Sequence, residues 1–165
     1  MNVEQLFEEH HDALYRYLVR LTGDADLAAD LAQEAFVRLV QRPPREMNLR
    51  AWLFAVATNL VRDDARSRSR WRTLLRRGAD RLPVPDPVRA PDSVAEGRER
   101  ERIVRRGLEA LSWKERTILL MREEGFTHRE IAVAVGTTTG AIGTMAARAL
   151  HKLSAELGVR MESLA

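Results

Sequence analysis

Between Phe126 and Leu153 the chain can fold in few ways. The segment reads FTHREIAVAVGTTTGAIGTMAARALHKL. Thr127 and Glu130 stand at the spacing of a capping box, in which each satisfies the other's free backbone amide at a helix start. Ile131, Ala132 and Val135 then form one apolar face at helical spacing. Gly136 supplies the left-handed backbone that closes a short helix before a sharp turn. Thr138 is expected to cap the following helix, in which Ile142, Ala146, Ala149 and Leu153 recur at intervals of four, three and four. A short helix, a glycine turn and a longer helix make a helix-turn-helix. Its physical use is to present the second helix to the DNA major groove. The same pair also occurs as a plain packing unit, so this segment alone leaves both uses open.

Charge has to be read by location. Lysine and arginine number 27 against 24 acids, a net charge of +3, which does not demand a nucleic-acid partner. Yet eight arginines and only three acids lie between Arg62 and Arg81. Such a run is an electrostatic footprint for phosphate, or else a solvated helix face. The chain contains no cysteine. Disulfides, thiolate metal sites and thiol catalysis are therefore excluded. No apolar run approaches the ~20 residues that span a bilayer. Glu4, Glu8 and Glu9 are unlike a signal peptide. A cytoplasmic location is expected.

In chain order, Asn2 can cap a first helix to about Leu21, with Leu6, Phe7, Leu14, Tyr17, Leu18 and Leu21 on one face. Thr22-Gly23-Asp24 breaks it. A second helix from about Asp26 to Val40 buries Leu27, Leu31, Ala35, Phe36 and Leu39, and carries Asp26, Asp30, Gln33 and Glu34 on its other face. Pro43 and Pro44 end it. Asn48 caps a third segment with Leu49, Trp52, Leu53, Val56, Leu60 and Val61 as its apolar face. Trp52 is in register with the core, although an aromatic there could also stack on a base. From Arg62 the segment turns basic, and little of it can be buried. Three such helices suffice for a small helical domain ending near residue 77.

Pro83, Pro85, Pro87 and Pro91 mark an extended linker between Gly78 and about Gly97, since that composition buries little surface. A helix resumes near Val94 or Glu99 and holds Ile103, Val104, Leu108 and Leu111. Ser112-Trp113-Lys114-Glu115 is a second capping box, opening a helix with Ile118, Leu119, Leu120 and Met121 that ends at Gly125. With no strand alternation anywhere, the expected fold is all-α: two small helical domains joined by a Pro-rich linker, the second with a helix-turn-helix.

Taken together, the chain resembles a bacterial extracytoplasmic-function (ECF) sigma factor over nearly all its length. DLAADLAQEAFVRLV, Asp26 to Val40, is similar to that family's core-polymerase-binding helix. RAWLFAVATNLVRDDARSRSR, Arg50 to Arg70, resembles its promoter-melting and minus-ten-reading segment. LEALSWKERTILLMREEGFTHREIAVAVG resembles the opening of its minus-thirty-five domain. Three motifs in order, with a Pro-rich stretch between the last two, are far more specific than any one of them. The resemblance implies a region 2-like domain at 1–77, a linker at 78–98 and a region 4-like domain at 99–165. It also implies a protein that binds core RNA polymerase, positions it on promoter DNA and helps to open the strands. A partner anti-sigma factor is expected; a catalytic site, a metal or a cofactor is not.

By resemblance, Asp26, Asp30, Gln33 and Glu34 meet the clamp helices of the largest polymerase subunit, where acids and amides give orientation more than raw affinity. In the minus-ten segment, holding a flipped base needs a small polar pocket beside a cationic track. Asn59, Arg62 and Asp63 are the candidates for base and sugar contacts; Arg66, Arg68 and Arg70 suit phosphates. Trp71, inside the basic run, has no clear role. The minus-thirty-five candidates are Thr138, Thr139, Gly140, Gly143, Thr144 and Arg148.

That last helix departs from the family. The usual pattern runs roughly VGTVKSRLHRAR, whereas Thr139 to Leu150 reads TGAIGTMAARAL. Gly143, Met145 and Ala147 replace the usual lysine, arginine and histidine. Only Arg148 keeps its charge. Base readout normally uses Arg or Lys on guanine and Asn or Gln on adenine, and none of these lies between Thr138 and Ala147. Weak reading through backbone amides, threonine hydroxyls and DNA shape is expected, with phosphate contacts from His128, Arg129 and His151. Alternatively the small residues face a protein such as an anti-sigma factor.

Other function classes stay in view. Glu8 and His11 have the Glu-x-x-His spacing of di-iron bundles, but no second such pair occurs, nor any HExxH, P-loop or GxSxG motif. A conventional helix-turn-helix regulator would bind its operator alone, and the Asp26 to Val40 motif argues against it. An adaptor or decoy sigma, which binds polymerase or an anti-sigma but reads DNA poorly, is suggested by the bare recognition helix. The short tail after Leu153 is expected to hold no further domain.

Overall fold

A computed structural model describes residues 2–45, 48–77 and 95–158 as seven α-helices: α1 (Val3–Thr22), α2 (Ala25–Gln41), α3 (Leu49–Arg77), α4 (Ala95–Glu109), α5 (Trp113–Glu123), α6 (His128–Val135) and α7 (Thr139–Leu157). Among the described residues there is no strand. The Pro-rich stretch expected as a linker, and the side chain of Trp71, lie outside the described residues.

The helix ends follow from local chemistry. Asn2 Oδ1 accepts from the amides of Glu4 and Gln5 at 3.1 and 3.3 Å. Gly23, at φ 71°, ends α1 in the left-handed region. One residue later Asp24 caps α2 by accepting from Leu27 N at 3.0 Å. Asn48 accepts from Arg50 N at 3.0 Å. Both capping boxes, Ser112 with Glu115 and Thr127 with Glu130, are closed in both directions. Gly136 is left-handed at φ 71°. Thr138 does stand at the N-cap of α7 with extended backbone, but its side chain makes no capping hydrogen bond. That leaves its hydroxyl free for a ligand.

α1 and α2 pack against each other, and α3 packs on both. The buried stripe of α2 holds Ala35, Phe36 and Leu39 as expected and differs at its N-terminal end. Ala28, Ala32, Ala35, Phe36 and Leu39 are inside, whereas Leu27 and Leu31 are only partly covered. Alanines let α2 approach its neighbours closely, so the centre of the stripe lies one residue on from the leucines. Phe7 is similarly displaced: it is 42% exposed and lies over Phe36, ring centroids 5.0 Å apart. Trp52 is partly buried against the core, in the register its neighbours dictate.

α3 is the longest helix, 29 residues and hence ~43 Å. Its first half is buried: Leu53, Phe54, Ala57, Thr58, Leu60 and Val61 all face inward. Beyond Asp63 nearly every described residue is exposed. α4 to α7 form the second group, with α7 packed on α4, α5 and α6. Ile142, Ala146 and Ala149 are buried there and Leu153 is half-buried.

The two groups pack on one another through α1 against α5 and α3 against α6, and their buried residues form one continuous cluster. Tyr17, Phe54 and Phe126 run through it, with successive centroids 5.0 and 4.9 Å apart. The Tyr17 hydroxyl is 2.7 Å from Thr58 Oγ1, which in turn donates to Phe54 O. Burial pushes this phenol well above its ordinary range, against the opposing effect of the Thr58 and Thr117 hydroxyls.

At the outer edge of the second group, Lys152 Nζ meets Glu115 Oε1 at 2.6 Å, with the Glu115 side chain only 13% exposed. The lysine holds this carboxyl below its ordinary value of 4.5, helped by the Ser112 amide and opposed by desolvation. A depressed carboxyl contributes stability above its unfolded pKa and loses it as pH falls through the folded one. Half-exposed Lys152 limits the pair to about 1 kcal/mol or less. Lys152→Met should therefore lower Tm by ~2–4 °C at pH 7. By thermal denaturation followed across pH, that gap should close as the pH falls below the ordinary carboxyl value of 4.5 and through the lowered one; a gap that persists once the carboxyl is fully protonated would assign it to packing instead.

Candidate nucleic-acid and polymerase interfaces

Three surfaces carry the residues singled out in the sequence. The first is the outer face of α2. Asp26, Asp30, Gln33 and Glu34 are all exposed there, opposite the buried Ala28, Ala32, Ala35 and Leu39. Glu34 is tied to Arg38 Nε at 2.9 Å, one turn on. Helical spacing carries the stripe of Asp26, Asp30 and Gln33 on to Val37 and Val40. Those valines are 42% and 54% exposed. The face is thus acidic at its N-terminal end and apolar at its C-terminal end. The sequence reading overlooked the valines because they stood inside an apolar-rich motif. Their exposure follows from which residues α2 buries.

The second surface is the basic half of α3. Asn59, Arg62, Asp63, Arg66 and Arg70 fall at intervals of three and four, and so share one face. Arg68 lies on the opposite side and is held by Asp64 Oδ2 at 3.0 Å. Asn59 and Arg62 are half-buried; Asp63, Arg66, Arg68 and Arg70 are exposed. Two of the three candidates for base contact, Asn59 and Arg62, thus sit where the helix dips into the protein, and Asp63 and the phosphate candidates where it emerges.

Arg62 has a neighbour that spacing in the sequence could not foresee. Its guanidinium lies over the Trp113 ring, 5.7 Å from the centroid. Arg62 Nε and Trp113 Nε1 are both buried and have no hydrogen-bond partner in the protein. Beside them a cleft of ≈ 490 Å³ opens between α3 and the α5–α6 region, lined by Arg62, Arg66, Ser69, Trp113 and Lys114 among others. Lys114 also borders a smaller depression with Met145 and Arg148. This lysine was not among the sequence candidates. It sits inside a capping box, and nothing in that motif marks its cation as functional.

The third surface is the solvent face of α7. Thr138, Thr139, Gly140, Gly143, Thr144 and Arg148 are all exposed, as are His128, Arg129 and His151. By helical spacing the middle of this face is Gly140, Gly143, Ala147 and His151, with Arg148 at its flank. It is nearly bare of long side chains. A Cβ added at Gly143 would meet only His128 Cε1, at 3.8 Å, an ordinary contact, and one at Gly140 would meet nothing within 4 Å. Neither glycine has a positive φ. The backbone does not need them.

Two further placements bear on the alternatives. The His11 ring stacks on Phe7, with centroids 4.3 Å apart, and its Nδ1 is 3.4 Å from Asp12 Oδ1. Among the described residues no three His, Asp or Glu side chains come together as a metal site. No helix among them is long and apolar enough to cross a membrane.

Comparison with known proteins adds to this geometry. Residues 6–73 match the Sigma-70 region 2 family and residues 101–153 match Sigma-70, region 4. The chain is 34% identical over 162 residues to the ECF RNA polymerase sigma factor SigL of Mycobacterium tuberculosis, covering 93% of this chain and 89% of the relative. It is 32% identical over 151 residues to the ECF RNA polymerase sigma factor EcfG of Rhodopseudomonas palustris, covering 89% and 80%. The fold resembles that of the sigma factor RpoE of Bartonella quintana, solved in complex with the anti-sigma factor NepR. The TM-score is 0.72 at 24% identity, covering 94% of this chain and 96% of that one.

Because Gly143 is helical and uncrowded, Gly143→Ala should stabilise the protein by about 0.5–1 kcal/mol. Urea denaturation would show it as a higher midpoint at unchanged m-value; a lower midpoint would mean that α7 needs a glycine there.

Proposed function

The chain belongs to the ECF sigma factors, transcription factors that bind core RNA polymerase and direct promoter recognition, and from that premise we propose how its surfaces divide the work. Residues 1–77 form the domain that binds core polymerase and reads the minus-ten element. Residues 99–165 form the minus-thirty-five domain, with 78–98 as linker. The polymerase performs the phosphoryl transfer; this subunit contributes promoter choice and strand opening, and has no catalytic site of its own. It works in the cytoplasm, where polymerase and promoter are.

The observation that carries this reading is the outer face of α2. Four acid or amide side chains stand exposed on one stripe, opposite an alanine-rich buried face, within the part of the chain that matches region 2. A carboxylate-bearing helix suits a basic partner, and the exposed Val37 and Val40 give the contact an apolar end that water would leave. A stripe of carboxylates on α2 does not suit a DNA backbone, because phosphate would repel it. Asn59, Arg62 and Asp63 then hold the non-template strand near the flipped base, and Arg66 and Arg70 follow its backbone. Arg68, on the other side of α3, is at most a peripheral phosphate contact. On α7, Thr138, Thr139, Thr144 and Arg148, with the amides around Gly140 and Gly143, meet the minus-thirty-five element. An anti-sigma factor is a further partner, in keeping with the complex in which the similar RpoE was solved.

A second reading rests on the bare face of α7. An adaptor sigma would bind polymerase but read DNA too weakly to start transcription. Run-off transcription on genomic fragments, with purified core polymerase, separates the two. Start sites that require this protein support the sigma reading; stable binding to core without transcripts supports the adaptor.

Two variants test the division of labour. Asp30→Arg combined with Glu34→Arg should abolish co-purification with core polymerase while helix content by circular dichroism is retained. Unchanged co-purification would remove α2 from the interface. Arg62→Ala should slow open-complex formation by about tenfold or more, against about threefold or less for Arg148→Ala, because a strand-holding contact is lost in one and a single flanking phosphate contact in the other. The reverse order would place the main DNA contact on α7.

A further inference from the structure

The cleft between α3 and the start of α5 is cationic on both walls. Arg62 and Arg66 stand on the α3 side and Lys114 on the α5 side, with Ser69 beside them. No acid is among the described residues that line it. None of the three cations is paired with an acid among the described residues. Like charges around one cleft repel one another, and its low-dielectric walls focus their field inward. The volume of ≈ 490 Å³ falls within the ~300–1,000 Å³ usual for small-molecule sites.

The walls are held in place. The Arg62 guanidinium lies over the Trp113 ring, 5.7 Å from the centroid, so its fork is oriented before a ligand arrives. In the first turn of α3, Arg50 donates to Glu124 O at 2.9 Å and to Glu124 Oε2 at 3.0 Å, which ties α3 to the end of α5. Trp113 and Lys114 are the first two residues of α5, and the positive end of that helix dipole adds to the same wall. Val135 and Gly136 bring the C-terminal end of α6 to the cleft as well. That end carries only about half a negative charge, against three full cations. Arg62 Nε and Trp113 Nε1 add two buried N–H donors with no acceptor in the protein, and unmet donors cost stability. Every deficit here has one sign: the cleft holds donors and cations, and lacks oxygen acceptors and negative charge.

We propose that this cleft is a binding site for a small molecule carrying linked phosphates, gripped by Arg62 and Arg66 on one wall and by Lys114 and the start of α5 on the other. Guanidinium forks match phosphate oxygens two at a time, and the lysine meets them as a point charge. A single phosphate leaves most of the space unfilled; linked phosphates let both walls hold one molecule. The site belongs to the free protein and does not rest on the sigma reading.

Inorganic pyrophosphate is the probe, added to the full-length protein. Titration calorimetry should show one site per chain, about tenfold tighter than for sulfate at equal ionic strength. Lys114→Ala, at an exposed position, should weaken binding by about tenfold, the loss of one charge-assisted contact. Arg66→Ala, exposed on the opposite wall, should do the same, and it serves if Lys114→Ala loses helix content by circular dichroism. Arg122→Ala removes an exposed charge from α5 outside the cleft and should change binding by about twofold or less. The chain has three tryptophans, so the place of binding can be read directly. In nitrogen-15 NMR spectra, the indole N–H signal that pyrophosphate moves should be the one that Trp113→Phe removes. Absence of binding, uptake of several pyrophosphates per chain, or equal losses from Lys114→Ala and Arg122→Ala would overturn the site, the last two in favour of general attraction to a basic surface. Movement of another indole signal instead would place the ligand elsewhere and overturn it too. If a single-stranded oligonucleotide without terminal phosphates moves the Trp113 signal and pyrophosphate does not, the cleft belongs to a DNA backbone and the free-ligand site is overturned.

Discussion

Phe54 is the residue on which both halves of the molecule depend. It is fully buried in the first half of α3, with Tyr17 on one side and Phe126 on the other. Helices shorter than about 12–15 residues are marginal alone and need an apolar face to lean on. α6 has eight residues and α5 eleven. α6 therefore leans on α3, α5 on α1, and both on α7. Losing the Phe54 side chain would remove the common wall of two small cores, each of which exposes a large share of its surface.

Local chemistry was legible and long-range pairing was not. Ser112 with Glu115, Thr127 with Glu130, and the left-handed Gly136 are fixed by residues within three or four positions, so they could be read from the chain directly. The same holds for the buried face of α7 and for the exposure of Asp26, Asp30, Gln33 and Glu34. The α2 stripe follows the sequence at Ala35, Phe36 and Leu39 but lies one residue on from Leu27 and Leu31, because leucine outweighs alanine in any hydrophobic pattern, while close helix approach favours alanine. Arg50 and Glu124 lie 74 residues apart, and no periodicity relates them. Arg116 looks like any surface arginine within its motif, yet it is half-buried against three backbone carbonyls and burial pulls its pKa down. The departures of α7 from the family pattern were visible, since they are substitutions at named positions.

On the proposed division of surfaces, the chemistry of the two long faces explains how one small chain would hold two large partners apart. α2 offers carboxylates and then valines; α3, packed against it, offers guanidiniums along its free half. Opposite charge on adjacent helices keeps each partner from the wrong surface, because phosphate is repelled by α2 and basic protein by α3. Discrimination of this kind needs no extra stability from either helix. The pairs Arg38 with Glu34 and Arg68 with Asp64 each leave a charge of the wrong sign partly neutralised within its own face.

A recognition helix with one arginine and two central glycines is weak only if it must find its site alone. On the proposed assignments, when polymerase holds the molecule on a promoter, the minus-ten contacts and the clamp fix its position, and α7 meets its element at a raised effective concentration. Under that condition a contact of modest affinity adds usefully without new side chains. A bare helix face also tolerates variation in the bases beneath it, since amides and threonine hydroxyls respond to groove shape more than to base identity. The cost of each mismatch is then smaller than for an arginine-to-guanine pair, which discriminates by ~1–3 kcal/mol. On the proposed reading, promoter choice shifts toward the minus-ten element, where Asn59 and Arg62 are half-buried and have less freedom to adapt. Selectivity then resides in the rigid half of the molecule, and reach in the half that docks on it.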